Sequence, residues 1–110
     1  VGSRSDTISC VTTAAVLKCS DATYTTAADG GGSLSKYTAR YAALGQQLSG
    51  GTYYCSEQVI GFDTSVIPDD ATVTAADLQL YGDYDYSTTD FTIQARLFDW
   101  GTTSETADFR

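Results

Sequence analysis

The stretch Ala76-Asp77-Leu78-Gln79-Leu80-Tyr81-Gly82-Asp83-Tyr84-Asp85-Tyr86-Ser87-Thr88-Thr89-Asp90-Phe91-Thr92-Ile93-Gln94-Ala95-Arg96-Leu97 decides the fold class. Both of its ends alternate apolar and polar residues, the period of a half-buried strand, and a polar connection separates them. Outward from it, Glu57-Gln58-Val59-Ile60-Gly61-Phe62 reads as another strand, with Ile60 and Phe62 on one face. Between them, Ile67-Pro68-Asp69-Asp70-Ala71 reads as a turn, because Pro presets φ and Asp bonds its own backbone. Residues 22–26 and 37–41 are weaker strand candidates, separated by the flexible Asp29-Gly30-Gly31-Gly32-Ser33, and Ser49-Gly50-Gly51 marks a further loop. Helix formers do occur in Thr13-Ala14-Ala15-Val16-Leu17-Lys18, at 38–44 and at 70–76, but no such run exceeds about two turns. Short strands with turn signals every ~8–12 residues predict an all-β sandwich or barrel.

A chain of 110 residues, 42% of them apolar, with ten Gly and one Pro, fits one domain. Ten of its thirteen aromatic residues follow residue 50, so the second half holds most of the core-forming material. Six Lys and Arg against fourteen Asp and Glu leave a net charge of −8. The basic residues Arg4, Lys18, Lys36, Arg40, Arg96 and Arg110 are scattered, which argues against nucleic acid as a partner, since binding phosphates takes a concentrated cationic face. No run approaches the ~18 apolar residues of a membrane span, and the first residues carry no signal-peptide pattern, so a soluble chain without membrane insertion is expected. With no Met at its start, the chain reads as processed or trimmed from something longer.

The absence of His removes the usual general base and the commonest metal ligand. Cys10, Cys19 and Cys55 are odd in number, so at most one intrachain disulfide can form. A Cys10–Cys19 bridge would close a short loop, but free, buried thiols acting as small hydrophobes are the preferred reading. Three separated Cys without His do not supply a zinc site.

Residues 59–81, from Val59-Ile60-Gly61-Phe62-Asp63-Thr64-Ser65 through Ile67-Pro68 to Ala71-Thr72-Val73-Thr74-Ala75-Ala76-Asp77-Leu78-Gln79-Leu80-Tyr81, resemble the signature of DNRLRE-type domains. These are jelly-roll domains related to carbohydrate-binding modules. The later Ala95-Arg96-Leu97-Phe98-Asp99-Trp100 resembles their strand that reaches a Trp. The likeness covers roughly residues 22–110, with Gly61 where the family often has Arg. More loosely, residues 81–91 and Asp99-Trp100-Gly101-Thr102-Thr103 resemble bacteriophage minor tail and other virion proteins that carry this domain. The resemblance implies a jelly-roll-like antiparallel β-sandwich over 22–110, with 1–21 as an N-terminal extension or first strand. The family continues past the Trp for further strands, so the resemblance also implies an incomplete sandwich, completed by sequence beyond Arg110 or by neighbouring subunits.

Candidate chemistry is sparse. Asp63, Asp69, Asp70, Asp83, Asp85, Asp90 and Asp99 offer carboxylate pairs, but all lie in expected turns, where Asp ordinarily serves local hydrogen bonds. No enzyme is expected. Asp83, Asp85 and Asp90, with Ser87, place oxygens in one loop as a hard cation needs, so the one cofactor weighed is a structural calcium. Against it, the Gly and terminal Glu of a helix-loop-helix site are missing. Tyr81, Tyr84 and Tyr86 alternate through the acidic loop, so the three rings are expected on one side with Asp83 and Asp85 on the other, and Tyr53 and Tyr54 follow Gly50-Gly51 in what reads as a second loop. These five rings are the candidate glycan contacts, with ordinary packing as the alternative. Trp100 is the candidate core or inter-subunit anchor. The expected function is a non-enzymatic structural or attachment module on a bacteriophage virion surface, in the tail or decorating the head. Its expected partners are other virion subunits, copies of itself and a cell-surface glycan. The rival is a carbohydrate-binding module of a secreted, extracellular polysaccharide-active protein.

Overall fold

The computed structural model describes residues 8–10, 12–38, 44–82, 84–99, 101 and 103–109. The fold is all-β: among the described residues four antiparallel strands form one sheet in the order β2-β1-β4-β3, with one short helix and one 3₁₀ turn. β1 (Thr12–Asp21) and β4 (Thr52–Phe62) form the centre, paired along their length from Thr12↔Phe62 to Asp21↔Tyr53. β2 (Ser33–Thr38) takes the outer edge of β1, and β3 (Gly45–Ser49) the outer edge of β4. The expected strand at Glu57 to Phe62 is the second half of β4. Residues 13–18, rich in helix formers, lie in β1, where ladder partners on both sides override weak helical propensity.

The core follows from which strand face is covered. Successive side chains point to opposite faces, so Ala15, Leu17 and Cys19 share one face with Val59 and Cys55, their partners or near neighbours on β4. α1 (Tyr24–Ala28) packs on β1 and β4, and η1 (Thr106–Asp108) on β1 and β2. Leu17, Cys19 and Ala27 are fully buried, and Cys55 and Ala15 nearly so. Lys36 Nζ donates to the carbonyl oxygen of Ser104, tying the C-terminal segment to the sheet. Val16, on the opposite face between Tyr37 and Gln58, is also fully buried.

Two expectations in the first half are corrected. Residues 22–26 are not a strand: the chain bends at 22–23, where Asp21 Oδ2 accepts from Thr23 N at 2.7 Å, and α1 begins at Tyr24. The segment Asp29 to Ser33 is structured rather than a flexible separator. Gly31 N donates to Thr26 O at 2.9 Å and Gly30 N to Ala27 O at 3.3 Å, the paired bonds of a Schellman motif. Gly32 is then pressed so closely on the Ser20 carbonyl that a methyl group there would overlap the oxygen. β2 coincides with the expected 37–41 strand only at Tyr37 and Thr38; residues 39–41 lie outside the described ones. Gly50 and Gly51, at φ +58° and +79°, form the two-residue loop of the β3–β4 hairpin, whose positive φ values match the right-handed twist of the strands.

The larger correction concerns the second half. Neither Ala76 to Leu80 nor Phe91 to Leu97 joins the sheet; described residues 71–99 form no ladder, although their alternation is the clearest in the chain. Alternation specifies a buried face but not the partner edge. The free edge of β4 is taken by β3 through a two-residue loop, which leaves the later segment no place beside β4. The turn expected at 67–71 is present, with Ala71 N donating to Pro68 O at 2.9 Å. The radius of gyration is 17.4 Å, against about 13 Å for a compact chain of this length. The accessible surface is 9206 Å², against roughly 5,900 Å² for a compact monomer of the same mass.

Gly32→Ala is therefore expected to destabilise the sheet by at least ~2 kcal/mol, because the obstacle is backbone. Gly50→Asn, which also accepts the left-handed turn, is expected to change stability by less than ~0.5 kcal/mol. Urea midpoints of the two variants check both values.

Candidate functional site

Tyr84 and Tyr86 are the one pair of candidate contact rings that the fold brings together. Two positions apart in extended chain, they project on one side, with ring centroids 4.2 Å apart and planes inclined at 45°. They are 72% and 85% exposed, and Tyr81 stands 93% exposed beside them in sequence. Each ring presents an apolar face and a polar hydroxyl to solvent.

Tyr53 and Tyr54 are placed differently from the expectation. They are the second and third residues of β4, not loop residues, and adjacent strand positions face opposite ways. Tyr53 meets Tyr24 of α1 edge-on, at 5.8 Å between centroids. Tyr54 lies under Lys18, whose Nζ is 5.3 Å from the ring centroid and 6.0 Å from that of Tyr37. Each ring is half-buried in structural work, and the two share no platform. The signal available in the sequence was the two-glycine turn before them, which makes the next residues hairpin strand.

The carboxylates behave as turn residues. Asp85 Oδ1 accepts from Ser87 N at 2.8 Å and from Ser87 Oγ at 2.6 Å. Asp63 Oδ1 accepts from Ser65 N at 2.9 Å, and Asp99 Oδ1 from Gly101 N at 3.0 Å. The side-chain and backbone bonds from Ser87 hold the Asp85 carboxyl below its ordinary 3.8, and those from Ser65 do the same for Asp63. Asp90 is exposed. Among the described residues no group of three or more Cys, Asp or Glu could hold a metal ion. Asp83, one of the three candidate calcium ligands, and Trp100, the candidate anchor, lie outside the described residues.

A shallow groove runs where residues 93–96 approach the sheet, lined by Leu44, Gln58, Ile60, Leu80, Ile93 and Arg96. Beside it, the Phe91 ring packs against Gly45 at the start of β3. Within the groove Arg96 Nη2 donates to Gln94 Oε1 at 3.0 Å. Apolar side chains and the amide and guanidinium groups of Gln58, Gln94 and Arg96 make up its lining. No helix among the described residues is long and apolar enough to cross a membrane. No family, curated protein or solved structure matches the chain.

Ser87→Ala should raise the Asp85 pKa towards 3.8 while leaving that of Asp63 in place, as read by carboxyl NMR titration. A lowered folded-state value means that the turn's contribution is fully present above the unfolded pKa and is lost as pH falls through the folded one. The variant turn is accordingly expected to loosen at a higher pH than the wild type.

Proposed function

We propose that the protein is a non-enzymatic structural module that assembles with other subunits, copies of itself included, on the surface of a bacteriophage particle. The observation that carries the assembly reading is the surface. The chain exposes roughly 3,300 Å² more than a compact monomer of its mass, an excess the size of an obligate interface. Much of it comes from the segment whose sequence is patterned for strands, where Leu78, Leu80, Phe91, Ile93 and Leu97 are 49% to 105% exposed. A half-apolar alternating segment with unpaired backbone is a template for pairing with another chain. The particle setting rests on the likeness of residues 59–103 to DNRLRE-type and phage tail sequences, and the jelly-roll sandwich belongs to the same proposal: neighbouring subunits supply the second layer.

A second reading is favoured by one observation. The exposed Tyr84–Tyr86 pair, two rings tilted against each other, offers aromatic surface against which the apolar face of a sugar can rest, so the same module would contact a cell-surface glycan.

Light scattering on the native protein from its natural source tests assembly. A high-order species is expected, and Leu97→Asp should break it while moving the melting free energy by less than ~0.5 kcal/mol, because Leu97 is fully exposed within its own chain. A stable 11.7 kDa monomer would overturn the assembly reading. Glycan arrays with wild type and Tyr84→Ala/Tyr86→Ala then decide the second reading, which fails if the wild type binds no glycan.

A further inference from the structure

Cys19 and Cys55 are directly opposed in the β1–β4 ladder. Opposed residues of an antiparallel pair stand with Cα atoms about 4.5 or 5.5 Å apart, and both spacings fall within the ~4.4–6.8 Å window of a disulfide. Their side chains share the covered face, since opposed residues project alike. Both are buried, Cys19 completely and Cys55 to 8% exposure, so neither thiol is drawn off to another partner. Burial, and then the charge of neighbouring Cys19, push the Cys55 thiol above its ordinary value, which agrees with two sulfurs held near each other away from water.

Cys10 is excluded from this pairing by the geometry of β1. From Thr12 to Cys19 the strand rises about 23 Å at ~3.3 Å per residue. The two steps from Thr12 back to Cys10 recover at most ~8 Å. Within one chain Cys10 and Cys19 therefore cannot reach each other, which removes the short-loop bridge weighed from the sequence.

We propose that Cys19 and Cys55 are a cross-strand dithiol site that closes to a disulfide, stapling β1 to β4, when the chain folds in the presence of a small disulfide oxidant of the glutathione class. One Cys thiolate attacks a sulfur of the oxidant, forming a mixed disulfide and releasing one thiolate. The second Cys thiolate attacks the protein-bound sulfur and releases the other. Two S–H bonds become one S–S bond, the oxidant takes up two electrons, and the two cysteine protons pass through water to the two released thiolates. The raised Cys55 thiol and the burial of both sulfurs make the closed sheet a slow substrate, so the bond forms as the strands come together.

The test refolds the full chain from urea in reduced and oxidised glutathione, quenches with an alkylating reagent and maps tryptic peptides. Cleavage after Lys18, Lys36, Arg40 and Arg96 puts the three cysteines on separate peptides. The expected result is a Cys19–Cys55 linked peptide with Cys10 alkylated, and a melting temperature higher than that of the reduced protein by about 10 °C. Cys10→Ser should keep both the link and the rise, whereas Cys55→Ala should lose the oxidant-dependent rise whatever its own baseline. Free Cys19 and Cys55 in oxidised, folded protein, or a link through Cys10, would overturn the proposal.

Discussion

Everything ordered in this protein hangs on the pairing of β1 with β4. It is the longest ladder in the sheet, and its two strands carry all the fully buried strand side chains, Val16, Leu17 and Cys19. β2 reaches the sheet only through β1, and β3 only through β4. α1 packs on both strands of the pair, and η1 on β1 and its neighbour β2. A four-stranded sheet covered on one face by a five-residue helix and a 3₁₀ turn, with Val16 fully buried on the other, is a thin core for a chain of this length, and the excess accessible surface is its direct counterpart.

That economy explains the division between the two halves. The first half, poor in aromatic residues, supplies most of the sheet because Ala, Val, Leu and Cys are small enough to pack under a short helix. The aromatic second half leaves Tyr81, Tyr84 and Tyr86 in solvent and its alternating segments without ladder partners. An excess of this size is compatible with a stable fold where a further protein surface covers it, which is the physical content of the assembly reading.

Legibility in the sequence divided along the same line. Local chemistry was readable: the Gly50–Gly51 loop, the turn closed between Pro68 and Ala71, and the Asp residues that accept bonds from the backbone two positions on. The all-β class was readable from the short strands and frequent turns, although the two clearest alternating runs, Ala76 to Leu80 and Phe91 to Leu97, are not among the strands that form. Long-range choice of partner was not. Residues 13–18 resemble a helix in composition and become the central strand because partners exist beside them; residues 91–97 resemble a strand yet form no ladder, although β3 keeps an outer edge and the Phe91 ring lies against Gly45 at its start. Of the candidate contacts, Tyr81, Tyr84 and Tyr86 were read on one side, and the two that stand two positions apart, Tyr84 and Tyr86, come together, while the opposite faces of Tyr53 and Tyr54 required knowing that the turn before them closes a hairpin.

The order of the strands in the chain has a consequence for synthesis. β1 is complete at Asp21, but its main partner is complete only at Phe62, about 40 residues later. At translation rates of ~5–20 residues per second, the apolar run of β1 waits roughly 2–8 s without its ladder. The β3–β4 hairpin, by contrast, closes within microseconds of emerging. The hairpin is thus a ready-made template onto which the older strand docks, and the waiting time of Ala14-Ala15-Val16-Leu17 is the interval in which a nascent chain is most exposed to chaperones and to its neighbours on the same message.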